Sequence, residues 1–471
     1  ITYCSMDEPP SLPQKQQSQV AQAAAHLSGI AEDEDRIAPR PLQWLFLMTL
    51  AGIVGAGAGA IGALFRMTLE KLDIIRTAMV HWTHTHVPPE ISWLIPVLIC
   101  AVAAGLACLI TELLAPETAG SGIPRVEAVL RNHLRPANLW IVPVKFIGGS
   151  LGIGGGLALG REGPTVQMGG AIGRMVSDRC QRFLREPWTL IAAGAGAGLA
   201  VAFNAPLAAL LFVVEELLHR FSARVFCATL VACITGTVVL RAMMGDINEF
   251  AAARLTLLSP IVLPDYLVLG ALAGLLGVAF NTCLTRTLSL SDHIAHWPRG
   301  AKGAIVGAGT GLLAWFAPQL VGGGELLATT ALLTRLAWGT IVGFLAARFL
   351  LTITSYSTGS PGGIFAPLLA LGSLLGNGFA EVESLLLHHP IDPTPFAVVG
   401  MAALFTAVVR SPLTGVVLLL EMSGGWPLIL PMMAASIMAY AIPEILQNPA
   451  IYDSLRERDE MLERSRRSHT R

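Results

Sequence analysis

Gly160-Arg161-Glu162-Gly163-Pro164, running on through Thr165 to Gly173, sets an arginine and a glutamate inside a chain that is apolar for most of its length. Ionisable residues at membrane depth are costly to keep, and where they occur they mark function. The same five residues predict a helix start. Pro164 suits the first helical position, and the glycines before it permit close approach or unusual dihedrals. A helix beginning inside a bilayer leaves unpaired N–H groups and the positive end of its dipole facing whatever lies ahead. In outline that is an anion site.

The composition supplies the membrane. Of 471 residues 53% are hydrophobic and 13% charged, with a mean hydropathy of +0.62; soluble domains carry about 25% charged residues. The 48 glycines suit helices packed through small residues. The short alternating segments of a membrane barrel are missing from the sequence. A net charge of −1 gives no basic footprint for nucleic acid. Seven cysteines form no C-x-x-C pair; most sit in apolar runs and read as buried thiols rather than disulfides or metal ligands.

Working outward, residues 1–40 are polar, with the acidic run Glu32-Asp33-Glu34-Asp35, and read as a disordered tail with helical character near Gln19–Leu27. Apolar spans follow from Leu42 to about Phe65, with a polar helical extension to Arg76, and from Trp93 to Leu114. Between them Met79–Ser92 reads as a loop without Lys or Arg. The ends of the chain carry Arg36, Arg40 and six arginines from Arg456 to Arg471, which places both termini inside. His81, His84 and His86 in that loop lack the cysteine or carboxylate partners of a metal site. Val142–Leu159 is apolar except for Lys145, and Thr189–Leu218 is apolar until Glu215 and Glu216. Gly148-Gly149-Ser150-Leu151-Gly152 fits the G-x-S-x-G pattern of hydrolases, but no strand precedes it, and glycine packing between helices accounts for it. Later segments, among them Gly359–Gly376 and Pro412–Met422, are short and interrupted by glycine and proline. They predict broken or re-entrant helices around a site.

The chain repeats. Setting Pro164 over Pro367 aligns Gly160 with Gly363, Gly169 with Gly372 and Gly173 with Gly376, at an offset of 203 residues. At an offset of 206, Gly194 meets Gly400, Pro206 meets Pro412, Leu207 meets Leu413 and Glu215 meets Glu421. Two halves, about 40–245 and 260–450, are expected, with a substrate site where they meet. Only the first copy carries the glutamate; Phe365 stands where Glu162 would be.

Three segments together resemble a known family. Gly120-Ser121-Gly122-Ile123-Pro124, Gly160-Arg161-Glu162-Gly163-Pro164 and Gly363-Ile364-Phe365-Ala366-Pro367 look like the selectivity-filter motifs of the CLC chloride channels and chloride/proton antiporters. The resemblance runs from about residue 40 to Tyr452. It implies an all-α polytopic membrane protein built as an inverted repeat, with a transmembrane domain at 41–450 and a short cytoplasmic tail at 451–471. It further implies a homodimer with one pathway per subunit, in a bacterial inner membrane with both termini cytoplasmic. No ATP, cofactor or metal enters, and the protein is not an enzyme. Chloride would be held by the hydroxyls of Ser121 and Tyr452 and the backbone N–H groups of Ile364 and Phe365. Glu162 would be an outer gate that links chloride occupancy to a proton, and Glu216 an inner proton relay that goes with exchange. Ser121, rather than proline, fits chloride over nitrate, and the motif around Glu162 departs from that of the fluoride exporters. Arg125 stands where relatives tend to carry an acid. The expected activity is chloride/proton antiport, with a passive chloride channel of the same fold as the alternative.

Overall fold

The structure, a computed structural model, describes residues 41–180, 188–246, 250, 262–293 and 297–469, with side chains as far as Arg464. The expected tail 1–40 lies outside the described residues. The chain divides after Leu47: the described part of the leading unit, 41–47, opens the first helix, and the unit Met48–Arg471 holds everything that follows.

Among the described residues the architecture is helical throughout. In order these are α1 (Pro41–His86), α2 (Leu94–Leu114), α3 (Ile123–Leu130), α4 (Ile141–Gly154), α5 (Glu162–Arg179), α6 (Trp188–Phe203), α7 (Pro206–Phe212) and α8 (Ala223–Met244). The second series is α9 (Leu263–His293), α10 (Ala301–Phe316), α11 (Glu325–Leu333), α12 (Trp338–Ser357), α13 (Phe365–Leu387), α14 (Pro393–Val409), α15 (Pro412–Ser423) and α16 (Ile429–Ile445). A last helix, α17 (Ile451–His469), closes the chain. Among the described residues seven helices are long and apolar enough to cross a bilayer. Five more apolar helices have 10–17 residues, fewer than the roughly 20 a crossing requires. A helix that ends inside a bilayer must find partners for its terminal backbone groups within the protein. This is the broken-helix layout expected of a multi-pass membrane protein.

Several local readings change. The expected loop Met79–Ser92 is mostly helix, because α1 continues to His86 and Pro89–Ser92 forms one more turn. Nothing between Arg76 and His86 breaks a helix, and Pro88 and Pro89 come only afterwards. The run Thr189–Leu218 is broken at Asn204, which takes a left-handed conformation (φ 53°) before Pro206 restarts the helix. Hydropathy could not show this, since both sides are equally apolar. The segment from residue 451, read as a tail, is helical and begins with the fully buried Ile451 and Tyr452.

The shared glycines of the repeat are contact points. A Cβ on Gly169 would collide with the carbonyl of Gly194, and one on Gly372 with that of Gly400. Thus α5 packs on α6, and α13 on α14, backbone against backbone.

Candidate functional site

The three quoted loops come together. Gly160 and Gly363, paired by the sequence offset, exchange both backbone hydrogen bonds at 2.8 Å each in an isolated antiparallel bridge. Reciprocal bonds between equivalent residues are those of a local two-fold relation. Gly362 N–H donates to the Gly120 carbonyl at 3.1 Å, which ties in the first loop. That loop needs left-handed backbone at Gly120 (φ 63°) and Gly122 (φ 84°), a conformation that glycine adopts freely. Lys145, fully buried, donates to the carbonyls of Thr118 (2.8 Å) and Gly120 (2.7 Å). A lone lysine in an apolar span was the signal for this role, and sequence reasoning left it unused.

Each loop feeds a helix start, as the proline pattern predicts. Pro124 is the second residue of α3, while Pro164 and Pro367 are the third residues of α5 and α13, so both of these helices begin two residues earlier than the prolines suggest. Ile364 caps α13 and Phe365 is its first residue, so their N–H groups have no acceptor within the helix. Glu162 fills part of that demand. Its carboxylate, completely buried, accepts the Phe365 N–H at 2.6 Å. The glutamate of the first half therefore occupies the anion position at the helix start of the second. Arg161 bonds the Ala202 carbonyl (2.9 Å) and pairs with Glu325 (3.3 Å).

The Phe365 ring packs against Phe203, Phe212, Phe405 and Tyr452, at centroid separations of 6.2, 5.5, 4.7 and 5.8 Å. Tyr452 brings its hydroxyl close to that of Ser121. Both oxygens are buried, and neither completes a hydrogen bond with a protein group among the described residues. Buried unsatisfied hydroxyls cost about 1–3 kcal/mol each. Two O–H donors beside the N–H groups of a helix start form a setting for a small anion.

Directly after α7, the π-helical turn Val213–Leu218 sends its two glutamates to different partners. Glu216, buried, accepts the Ser411 hydroxyl at 2.6 Å. Glu215 accepts the N–H groups of Leu413 (3.2 Å) and Thr414 (2.8 Å) at the start of α15. Its repeat partner Glu421 does the same for Leu207 (3.1 Å) and Ala208 (2.8 Å) at the start of α7. The sequence reading pairs Glu215 with Glu421 and expects a proton relay at Glu216, but it names a partner for neither.

Tyr452 is held in place from behind. Arg456 on α17 bonds the buried Glu127 of α3, which Arg131 also meets at 2.9 Å, and His133 bonds Glu460 at 2.7 Å. Arg125 lies on the same seam, 3.8 Å from Glu463. Elsewhere, Ser150 lies inside α4 rather than on a strand-to-helix turn, and a Cβ on Gly148 or Gly149 would press on Pro361 or Phe65. His84 stacks on Trp315 and His86 on Trp82.

Residues 103–444 match the family described as voltage gated chloride channel. The chain is 38% identical over 425 residues to the H(+)/Cl(-) exchange transporter ClcA of Vibrio parahaemolyticus, covering 88% of this chain and 89% of that one. It is 36% identical over 441 residues to ClcA of Klebsiella pneumoniae, covering 90% and 91%. Its fold matches that of a slow cyanobacterial Cl-/H+ antiporter with a TM-score of 0.83 at 33% identity, covering 90% of this chain and 99% of the other. A CLC-type fluoride/proton antiporter shares the fold alone, at a TM-score of 0.72 and 22% identity over 88% and 99%. With the three loops joined as these residues require, the chain belongs to the voltage gated chloride channel family, the CLC proteins.

Proposed function

We propose that this protein is a secondary-active antiporter that exchanges chloride for protons across a membrane. The observation that carries the reading is the Glu162 carboxylate seated on the Phe365 N–H, where an anion would sit. An ionised carboxylate and a chloride ion compete for the same donors. A protonated carboxyl loses that attraction and releases the position. One side chain thereby couples anion occupancy to a proton. Chloride is then held by the hydroxyls of Ser121 and Tyr452 and the N–H groups of Ile364 and Phe365. These donors carry no full positive charge, so the ion binds and still leaves. Glu216, buried four residues after Phe212 of the aromatic cluster, serves as the inner proton acceptor.

The wider frame follows from the same family. Residues 41–450 form an inverted-repeat membrane domain, both termini face the cytoplasm, and two copies associate with one pathway each. The reciprocal bonds between the halves support the repeat, and the basic residues of α17 support the orientation. The test is reconstitution: in liposomes an imposed chloride gradient is expected to drive protons uphill. Chloride flux with no accompanying proton movement would identify a passive channel instead.

A further inference from the structure

A third hydroxyl reaches the Ser121 loop. Tyr356, one residue from the end of α12, is buried, and its oxygen accepts the Ser121 backbone N–H at 3.3 Å. The ring lies flush on the loop: a Cβ added to Gly120 would stand 3.1 Å from the Tyr356 oxygen. A phenol both accepts and donates. Only the accepting side is used, since among the described residues no protein acceptor takes the Tyr356 proton. Tyr356 also lies within electrostatic reach of Tyr452 and Glu162.

The aromatic residues around the site are otherwise hydrocarbon: Phe203, Phe212, Phe365 and Phe405. A phenylalanine at 356 would fill nearly the same space, so packing alone does not call for the oxygen. Three buried O–H groups with unspent protons, from Ser121, Tyr452 and Tyr356, converge beside one helix start. A monovalent anion placed among such donors would accept their protons, whereas a cation would meet their hydrogens.

We propose that Tyr356 is a specificity-determining residue of the anion site, giving the transported ion a third hydroxyl donor while its oxygen fixes the Ser121 backbone. This deepens the chloride-site reading above and rests on it. Protein depleted of chloride is titrated with chloride by calorimetry, as wild type, Tyr356→Phe and Ser121→Ala. Thermal unfolding is followed with and without saturating chloride. Tyr356→Phe is expected to weaken chloride binding about tenfold, the scale of one hydrogen bond to a charged group. The rise in Tm on adding chloride shrinks accordingly. A purely structural tyrosine would instead lower Tm equally in both buffers and leave the affinity alone. Chloride affinity within about twofold of wild type in Tyr356→Phe, with Ser121→Ala clearly weakened, overturns the role of Tyr356. Unchanged affinity in both variants overturns the site reading itself, and this inference with it.

Discussion

The two halves share a scaffold and differ in chemistry. Gly120-Ser121-Gly122 before α3 has its counterpart in Gly322-Gly323-Gly324 before α11, with left-handed glycines at φ 63° and 84° in the first and 71° and 96° in the second. Lys145, fully buried, holds the first loop by its carbonyls. Arg348, also fully buried, holds the second, donating to Leu320 (2.9 Å) and Gly323 (2.5 Å). Asn204 and Arg410 break the two apolar runs in the same left-handed conformation, and Glu215 and Glu421 cap each other's partner helices. Yet Ser121 faces Gly323 across the repeat, Glu162 faces Phe365, and Glu216 faces Met422. The demands of unpaired backbone at membrane depth are the same in both halves and are met in the same way. Ser121 and the two glutamates proposed for the proton route stand in the first half, while the second half supplies the backbone N–H at the start of α13 on which Glu162 sits.

The largest effects are expected where the halves differ. Glu162→Gln should abolish uphill proton pumping in liposomes while chloride flux continues, and Glu216→Gln should do the same. Normal pumping in Glu216→Gln would remove that residue from the proton route. The buried cations sharpen the contrast. Lys145→Met and Arg348→Met each leave two loop carbonyls without a donor, and should lower stability by about 2–4 kcal/mol in denaturation. Lys145→Met alone should also weaken chloride binding, since only its loop carries Ser121. Equal loss of affinity in both would show that the loops are functionally alike.

The crossed caps should behave as a matched pair. Glu215→Gln and Glu421→Gln each give up charge-assisted bonds and should cost a similar 1–2 kcal/mol or about that much, with the proton-to-chloride ratio intact. A lost ratio in Glu215→Gln would make it part of the proton route. The smallest effect is expected for Gly323→Ser, which gives the second loop the hydroxyl of the first. The added Cβ has room, with its nearest neighbour at 3.7 Å, and chloride affinity should change by less than about twofold. A clear gain would reveal anion binding in the second half.

Much of the site was legible because its parts are local. A glycine–proline motif announces a helix start wherever it stands, and Glu162 is visible as a charge in an apolar chain. Partners were not legible. Nothing local tells that Tyr356 meets the Ser121 loop 235 residues earlier, or that Ser411 bonds Glu216 across 195 residues. The break at Asn204 was hidden for another reason: it interrupts the backbone without changing the hydropathy.

By itself the sequence determined the class of the molecule, the repeat, the three loops and the glutamate that makes the first half unlike the second. These are matters of composition, periodicity and local backbone chemistry. Only the tertiary structure decided which donors face which acceptors. It set Glu162 on the helix start of the other half, gave Glu215 to a cap and Glu216 to a serine, and brought the Tyr356 hydroxyl to the Ser121 backbone. In a bilayer no water is at hand to satisfy a stray polar group, so every such pairing is fixed by the fold as a whole.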